Sequence, residues 1–487
     1  MTNKKENMRL LISLALSGVM VAVILWLISK LSSTVVKTPP NPTSTDLVLM
    51  GKPSFMNLGT RILIPLQAHP EKRDGVKAFA EQNFTTAVEK FTASLKNHPN
   101  DPETLIYLNN AKIAQDKSEY LKVAIIAQTN FDVSLAEEIL RGVAQAQNEV
   151  NNQGGINGKK LQVAIASVEN REDAARLDEE LVKDQTLLAV VGVRRNAEIY
   201  NKKGLVLVFP IERATQSENP ENVEQNSVNN KDNTSKNNYL FHVNPLYDNL
   251  VDTHAKYIVR QARNIAICGD VRNSRDNSTP SSNKILLEKY TQAIQNYGGK
   301  VTDTPCNLSG KNFEYRAFVD KAIETDNANG FLLIPSVRNI FLATKVAQEV
   351  KGRKPLFASE NMYSSKTLEN GNDIEGMVLP VYWHRDVNKN NPFADNASKL
   401  WNGQVNQRTA GAYDALQVII AGLKQDNTRE GLQKVLSNPN FSTSGATGTI
   451  KFLPSGHREG EALLVKVERC ERCSSGTGYD FSLLKKR

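Results

Sequence analysis

Histidine, cysteine and tryptophan are scarce in this sequence of 487 residues, which has six His, four Cys and three Trp. Four cysteines are too few for a fold that depends on disulfides alone. The histidines form neither a His-Glu-x-x-His motif nor a Cys/His finger spacing, so we expect no zinc enzyme and no metal site. A nucleophile elbow and a Ser-His-Asp pattern are also lacking. We therefore predict neither enzymatic activity nor a cofactor.

A large excess of one charge is lacking too. The chain has 60 Lys+Arg and 52 Asp+Glu, a net charge of +8, and the basic residues are interspersed with acidic ones. Nucleic-acid-binding surfaces show clustered basic residues, so no nucleic-acid partner is expected. Hydrophobic residues make up 40% and charged residues 23% of the chain, as in ordinary globular proteins. The length allows about three domains.

One long hydrophobic run is present near the N-terminus. Residues 10–28 are nineteen residues without a charge, and as a helix they would span about 28 Å, close to the thickness of a bilayer core. Basic residues precede the run, which predicts a cytoplasmic N-terminus and an exported remainder. A cleaved signal peptide is the alternative, although Leu31-Ser32-Ser33 is a poor cleavage site. We predict a signal-anchor over residues 1–31, a single membrane pass and an extracytoplasmic (periplasmic) bulk.

Two segments connect this run to the rest of the chain. Residues 32–67 are rich in Pro, Ser and Thr, which predicts an extended linker that buries no core. Residues 68–118 place apolar side chains three and four positions apart on both sides of a Pro-containing break, which predicts an α-helical hairpin. Four of its residues match the tetratricopeptide pattern: Gly75, Ala87, Phe91 and Pro99. A single repeat does not form a solenoid, so the hairpin either docks on the next domain or offers a groove to a partner.

From residue 119 onward, strand-like and helix-like segments alternate. Residues 121–128 are an apolar run typical of a buried strand, an amphipathic helix follows, and residues 161–166 form the next strand. The same alternation starts again at residues 264–268. Alternating strands and helices predict a parallel sheet with helices on both faces. The sequence therefore predicts an α/β fold with two doubly wound lobes.

A glycine-rich segment at residues 154–159 looks superficially like a phosphate-binding loop. Gln153 stands where the first glycine of that motif belongs, and Lys160 replaces its Ser/Thr. The segment also leaves a helix instead of entering one. We therefore expect no nucleotide site there.

Residues 148–161 (NEVNNQGGINGKKL) resemble the helix exit of the branched-chain amino-acid (Leu/Ile/Val-type) solute-binding proteins of ABC transporters. These proteins have the type I periplasmic-binding fold. The resemblance extends over about two-thirds of the chain, with further similar segments at residues 122–126, 190–192, 241–245, 359–361, 374–378, 412–415 and 445–452. It implies two lobes joined by a hinge, with the following bounds within residues 119–487: lobe 1 at about 119–242 and 381–440, and lobe 2 at about 243–380 and 441–487.

The resemblance also implies the ligand-binding residues. In doubly wound sheets, ligands bind beyond the carboxyl ends of the strands, and in the family one such turn binds the ligand carboxylate. That turn is here Arg194-Arg195-Asn196, with Asn196 in place of the family's serine. The two arginines either strengthen anion binding or are solvated loop charges. A second turn contributes Ala214 and Thr215, and the acid that binds the ligand's ammonium group corresponds to Glu360.

The predicted pocket departs from the family at its walls. Ser336 stands where an aromatic residue is common, and Leu135 occupies another wall position. The resemblance thus implies a membrane-anchored solute-binding protein that passes a small polar ligand, an amino acid or related zwitterion, to an ABC-type importer. Its partners would be permease subunits. A sensory ligand-binding module and a ligand-free assembly protein are the alternatives.

The four cysteines fall into two groups. Cys470 and Cys473 lie three residues apart near the C-terminus, without a second pair or a nearby histidine. In an exported protein this favours a disulfide, or pairing with another thiol, over a metal site. Cys268 and Cys306 follow the first two predicted strands of one lobe and are candidates for a second disulfide.

Overall fold

The computed structural model describes residues 54–127, 129, 133–168, 170, 173–193, 197–212, 238–270, 282–471, 473 and 475–484. The predicted signal-anchor at residues 1–31 lies outside these residues. Within them, no helix is both long and apolar enough to cross a membrane.

The first sheet is built from six strands: β1 (Met56–Asn57), β2 (Tyr120–Ile126), β3 (Lys160–Ala166), β4 (Leu187–Val191), β5 (Val206–Phe209) and β6 (Leu240–His242). Their order is β1-β3-β2-β4-β5-β6. Strands β2 to β6 are parallel, and β1 pairs antiparallel with the edge strand β3. Their interior residues are apolar and buried on both faces, as a parallel sheet covered by helices requires.

The second sheet has seven strands: β7 (Asn264–Gly269), β8 (Lys300–Val301), β9 (Gly330–Ile334), β10 (Leu356–Ala358), β11 (Val378–Val381), β14 (Leu463–Arg469) and β15 (Tyr479–Leu483). Their order is β15-β14-β11-β10-β9-β7-β8. The strands from β7 to β11 are parallel, whereas β14 and β15 add antiparallel strands at one edge. A separate hairpin consists of β12 (Thr443–Gly445) and β13 (Gly448–Ile450).

Helices cover both faces of each sheet. In chain order they are α1 (Pro70–Ala80), α2 (Phe84–Asn97), α3 (Pro102–Gln115), α4 (Val133–Asn152), α5 (Ala174–Lys183), α6 (Glu198–Lys203), α7 (Tyr247–Gln261), α8 (Ser282–Asn296), α9 (Tyr315–Glu324), α10 (Ile340–Val350), α11 (Ser365–Leu368), α12 (Gly371–Ile374), α13 (Phe393–Trp401), α14 (Gln407–Gln425) and α15 (Arg429–Leu436). On the first sheet, α4 and α14 share one core and α5 and α6 the opposite one. On the second, α9 and α10 lie opposite α7 and α8. The predicted α/β fold with two doubly wound lobes is confirmed.

The glycine pair of the sequence motif ends α4. Gly155 has a φ of 89°, in the left-handed region that glycine adopts at least strain. A Cβ atom at this position would lie 2.2 Å from the backbone oxygen of Lys159. The turn that leads into β3 therefore requires glycine for two separate reasons.

The prediction of an extended linker over residues 32–67 is wrong for the last part of that range. Residue Ile64 is fully buried, and β1 extends the first sheet. The side chain of Asn57 holds this segment, since its Oδ1 accepts hydrogen bonds from the amides of Gly59 and Thr60, and its Nδ2 donates to the carbonyl oxygen of Arg61. Prolines and small polar residues suggested an extended chain because composition does not reveal such hydrogen bonds.

The helical hairpin docks on the first lobe. Phe91 of α2 is fully buried, and a Cβ atom on Gly75 of α1 would lie 2.6 Å from its ring, which explains the small residue at that position. The third helix, α3, is buried along nearly its whole length against α4 and β3. Of the two roles left open by the sequence, docking on the next domain is the one that the structure shows.

The chain passes between the lobes after Val243, after Val381 and after Phe452, as judged by the core in which the flanking residues lie. Both lobes belong to one compact unit that begins at Phe55. We expected lobe 2 to resume at residue 441, but Phe441 and Ile450 lie in the core of lobe 1. The β12–β13 hairpin packs on α14, so the last crossing comes about a dozen residues later than expected.

Candidate ligand-binding cleft

A cavity of about 280 Å³ lies between the two lobes, close to the lower end of the range of roughly 300–1,000 Å³ for small-molecule sites. The first lobe and its connection contribute Leu135, Ile211, Glu212, Asn244, Gln407 and Arg408. The second lobe contributes Tyr247, Asn283, Leu286, Ser336, Val337, Arg338, Glu360, Asn361 and Tyr382. Several of these residues follow the carboxyl end of a parallel strand, where ligands bind in doubly wound sheets.

Glu360 is the predicted site residue that the structure places in this cavity. It begins a short 3₁₀ helix, Glu360–Met362, directly after β10. The residue is partly exposed, but its Oε2 atom is buried and has no hydrogen-bond partner among the residues that the structure describes. Burial raises the pKa of the carboxyl group, while a hydrogen bond from Tyr247 and the charge of Arg408 oppose that rise. The cleft therefore contains a carboxylate with an unused acceptor.

Two buried tyrosines and a partly buried one lie near this carboxylate. Burial and the nearby Glu360 hold the pKa values of Tyr247, Tyr290 and Tyr382 well above the ordinary value for a phenol. Their hydroxyl groups therefore stay protonated and can donate hydrogen bonds. The hydroxyl of Tyr382 is buried and has no hydrogen-bond partner in the described part of the chain. Glu360 thus lies near neutral tyrosine hydroxyl groups that can donate hydrogen bonds.

Arg408 brings a positive charge to the same cavity from the other lobe. It lies in the first turn of α14 and is 8% exposed. Its Nη1 donates to Oε2 of Glu138 at 3.0 Å, and Asn406 donates to the other oxygen of that carboxylate at 2.5 Å. Glu138 therefore fixes the guanidinium group and balances most of its charge.

The lobes are also in contact beside the cavity. The backbone amide of Tyr382, just after β11 of the second lobe, donates to Oε1 of Gln407 in the first lobe at 2.7 Å. Asn244, at the first crossing, donates to the carbonyl oxygen of Pro210 at 2.9 Å. These bonds fix the connecting segments against the floor of the cleft.

The remaining predicted ligand-binding residues lie outside the described residues. They are Arg194, Arg195, Asn196, Ala214 and Thr215, and their roles stay predictions. The two wall positions read from the sequence do line the cavity, with Leu135 on one lobe and Ser336 on the other.

Sequence reasoning missed Tyr247, Tyr382, Gln407 and Arg408. Two signals could have found three of them. Tyr247 starts the helix that follows the motif at residues 241–245, and Gln407 and Arg408 are the first two residues of the helix that carries the motif at residues 412–415. Both motifs marked the family, but the helix starts beside them were not considered as parts of a site.

One further group of side chains adjoins the cavity. Oε1 of Glu212 lies 2.7 Å from Nδ1 of His242, and the ring of His457 stacks on that of His242 with centroids 4.1 Å apart. In the described part of the chain, this is the group of His, Cys, Asp or Glu side chains that could hold a metal ion.

The cysteines lie in the second lobe and its C-terminal tail. The structure joins Cys268 to Cys306 and Cys470 to Cys473 by disulfides. The first pair is buried beside β7. None of the four lines the cavity.

Comparison with known proteins identifies the family. Residues 128–471 match a family described as periplasmic binding protein. The chain belongs to this family of periplasmic binding proteins. A comparison of this chain's sequence with curated proteins found no match.

Solved structures share the periplasmic binding protein fold at low sequence identity. The leucine binding protein LivK from Thermotoga maritima is 16% identical, with 74% of this chain and 97% of that chain covered and a TM-score of 0.57. An ABC transporter substrate-binding protein from Desulfitobacterium hafniense, in complex with Leu, is 17% identical (75% and 100% covered, TM-score 0.57). A solute binding protein of an ABC transporter from Rhodopseudomonas palustris, in complex with p-hydroxybenzoic acid, is 12% identical (75% and 96%, TM-score 0.57). The predicted resemblance is confirmed for family and fold.

Proposed function

We propose that this periplasmic binding protein captures a small zwitterion, an amino acid or a related compound, between its two lobes. The observation that carries the proposal is the buried oxygen of Glu360, which lies in the cleft without a hydrogen-bond partner among the described residues. A buried acceptor without a partner is unfavourable, and an ionised one more so. An ammonium group bound there would supply the missing donor and the opposite charge.

The surroundings of Glu360 favour a cationic group over a second hydroxyl. The carboxylate already accepts a hydrogen bond from Tyr247, so its remaining oxygen is the one left for a ligand. Arg408 acts on Glu360 electrostatically, but its guanidinium group bonds Glu138. A protein cation therefore lies near the carboxylate without satisfying its free oxygen.

The anionic end of the ligand requires a partner on the first lobe. We propose the turn Arg194-Arg195-Asn196, together with Ala214 and Thr215, because these residues come within three positions after the described segments that end at Val193 and Glu212. Arginine binds carboxylates through two parallel hydrogen bonds. The zwitterion would then lie across the cleft with its charges on opposite lobes.

The cavity lining favours a ligand that is not purely aliphatic. Apolar groups from Leu135 and Leu286 are mixed with the polar side chains of Asn283, Ser336 and Asn361. Such a lining provides hydrogen bonds to a polar side chain, whereas a wholly apolar pocket would not. Similar structures contain leucine or p-hydroxybenzoic acid, so the fold accommodates ligands of different polarity.

We further propose that the chain delivers its ligand to the permease subunits of an ABC-type importer. Two of the similar structures are described as ABC transporter components. The uncharged run at residues 10–28 would anchor the chain in the membrane, with the binding lobes outside the cytoplasm.

A ligand screen followed by one substitution tests the binding proposal. Amino acids, amides and small carboxylates are first screened for an increase in the thermal midpoint of the full chain, since a ligand that binds the folded state stabilises it. Calorimetry with the best ligand then compares wild type with Glu360→Gln. Because the ligand's ammonium group would lose its charged partner, we expect affinity to fall by roughly 30-fold or more.

Glu375→Gln is the matched control. Glu375 lies on the surface and pairs with Arg469 at 2.9 Å, so this variant should bind like wild type. The unliganded Glu360→Gln protein should be no less stable than wild type, because the change removes the charge from a carboxylate whose Oε2 atom is buried. Unchanged affinity in Glu360→Gln would contradict recognition of an ammonium group by this residue. If no compound binds, the ligand-free assembly protein is favoured instead.

A further inference from the structure

Glu212, His242 and His457 come together beside the hinge although they are far apart in sequence. Glu212 follows β5, His242 ends β6, and His457 lies in the third connection between the lobes. The amide of His242 donates to the carbonyl oxygen of Gly456 at 2.9 Å. This backbone contact aligns the two connections and places the two imidazole rings side by side.

Stacking aligns the two rings. His242 lies between Phe209 and His457, with centroid distances of 4.2 Å and 4.1 Å and interplanar angles of 3° and 16°. At the edge of this stack, Oε1 of Glu212 lies within hydrogen-bond distance of Nδ1 of His242, at 2.7 Å. One potential ligand atom from each of the three residues lies within 4.8 Å of the other two.

We propose that Glu212, His242 and His457 form a binding site for a divalent metal ion of borderline softness, with Zn²⁺ as its probe. Two imidazole nitrogens and one carboxylate oxygen are a donor set that Zn²⁺ prefers, and it leaves a fourth position for water or a ligand. Ligand atoms about 2.1 Å from a tetrahedral Zn²⁺ lie about 3.4 Å apart. Imidazole nitrogens bind a metal in the plane of the ring, so the two histidines would rotate out of their stack to reach that geometry.

On metal binding, the hydrogen bond between Glu212 and His242 would be replaced by three bonds from side chains to the metal. Nδ1 of His242 and Oε1 of Glu212 both act as ligands when the metal binds, so the hydrogen of the neutral imidazole is then on Nε2. The side chains of Glu212 and His242 are only 9% and 13% exposed, so the ion would be largely shielded from water. Glu212 also lines the cleft, which provides a route of entry.

Among the described residues, the basic neighbour of His457 is already paired with other groups. Arg458 follows His457, but it donates to the carbonyl oxygen of Val243 and lies 3.7 Å from the buried carboxylate of Asp414. Within the described residues of this group, Glu212 supplies the negative charge beside the two imidazoles.

The other histidines lack this arrangement. His254 bonds Tyr290 in a core, and His384 bonds the carbonyl oxygen of Phe481. His69 and His98 stack with centroids 3.4 Å apart, yet they are not part of a three-residue group of metal-ligand type in the described chain. This last pair provides a matched control.

The test is calorimetry of Zn²⁺ binding to the purified, chelator-treated full chain, with no organic ligand present. We expect one Zn²⁺ per chain and a rise in thermal midpoint on binding. His457→Phe keeps a ring on the stack but removes both nitrogens, and Glu212→Gln removes the charge. Each should weaken binding at least 10-fold. Mg²⁺, which prefers oxygen ligands, should not compete.

The control variant His98→Phe keeps a stacked ring on His69 and should bind Zn²⁺ like wild type. Thermal midpoints without metal show whether each variant is folded. If His457→Phe is unstable, Zn²⁺ binding by Glu212→Gln alone tests the proposed site. The proposal is overturned if wild type binds no Zn²⁺, or if folded Glu212→Gln binds it as tightly as wild type. A loss of binding in His98→Phe would likewise overturn it and place the metal at the surface pair.

Discussion

The side chain of Asn110 hydrogen-bonds both backbone polar groups of Val163. Its Nδ2 donates to the carbonyl oxygen at 2.8 Å, and its Oδ1 accepts from the amide at 3.2 Å. Val163 lies in β3, whose outer edge is paired by β1 only at Ile165 and Ala166. A side chain of α3 thus continues the pairing where the neighbouring strand has ended, and the helical hairpin covers a sheet edge that would otherwise be exposed.

We expect Asn110→Ala to destabilise the fold. The substitution leaves the buried amide and carbonyl groups of Val163 without partners, and each such group typically costs about 1–3 kcal/mol. Denaturant unfolding should show a free energy of unfolding lower by about 2 kcal/mol or more. Gln115→Ala on the same helix, where the side chain bonds Thr85 in an exposed contact, is the control and should change it little. Equal stabilities of the two variants would show that the edge does not need this cap.

A buried ion pair within the hairpin leads to a second prediction. Lys72 is fully buried, and its Nζ lies 2.9 Å from Asp101 and 2.7 Å from Glu103. Removing one member of a buried charge network leaves the others uncompensated, which typically costs 3–5 kcal/mol. Lys72→Met should therefore destabilise the protein by about that amount in denaturant unfolding.

The matched control for this pair is Lys90→Met. Lys90 pairs with Asp74 at 2.9 Å, but its side chain is 41% exposed, and exposed pairs contribute at most about 1 kcal/mol. If Lys72→Met were no more destabilising than Lys90→Met, the two carboxylates beside Lys72 would have to be solvated or protonated.

How far the sequence predicts this fold depends on the kind of pattern. Apolar runs and helical periodicity identified the two doubly wound lobes, because burial of parallel strands and amphipathic helices leaves a local signal. The ordered segment from Phe55 to Ile64 was missed, since its order comes from hydrogen bonds of Asn57 and from pairing with β3, which is about a hundred residues away. Such long-range partners leave no periodic trace in the local sequence.

The candidate site was predictable only where the family resemblance assigned a role to the position, as it did for Leu135, Ser336 and Glu360. Glu360 follows Ser359 in a motif of the family and does line the cleft. Arg408 and Tyr382 meet there only because α14 and β11 belong to opposite lobes. The cluster of Glu212 with His242 and His457 depends on two connections that run side by side. Contacts between connections follow from tertiary structure and cannot be read from spacing.

The third prediction concerns the thiols. The structure places all four cysteines in disulfides, Cys268 with Cys306 and Cys470 with Cys473. Alkylation of the denatured but unreduced protein, followed by mass spectrometry, should therefore detect no free thiol. After reduction, all four should react. Labelling of Cys470 and Cys473 alone before reduction would show that the tail pair is open, and four labelled thiols would contradict both pairings.

The last prediction concerns pH and His254. This residue is fully buried beside Tyr290, and burial lowers its pKa from 6.5 to about 3. Above pH 6.5 the imidazole is neutral in both the folded and the unfolded chain. Below it, the unfolded chain takes up a proton that the folded chain does not, so the free energy of unfolding falls as the pH falls. Between pH 7.5 and pH 5.5 this residue should account for a loss of about 1.4 kcal/mol.

Denaturant unfolding of wild type and His254→Gln across this pH range isolates the effect, because glutamine does not titrate and the other ionisable groups are shared. The difference in unfolding free energy between the two proteins should shrink as the pH falls. Tyr290→Phe is the control: it removes the hydrogen bond to His254 at 2.9 Å but keeps the imidazole buried, so it should keep the wild-type pH dependence. Parallel curves for wild type and His254→Gln would mean that the buried imidazole becomes protonated in the folded state at ordinary pH, against the environment that α7 and α8 provide.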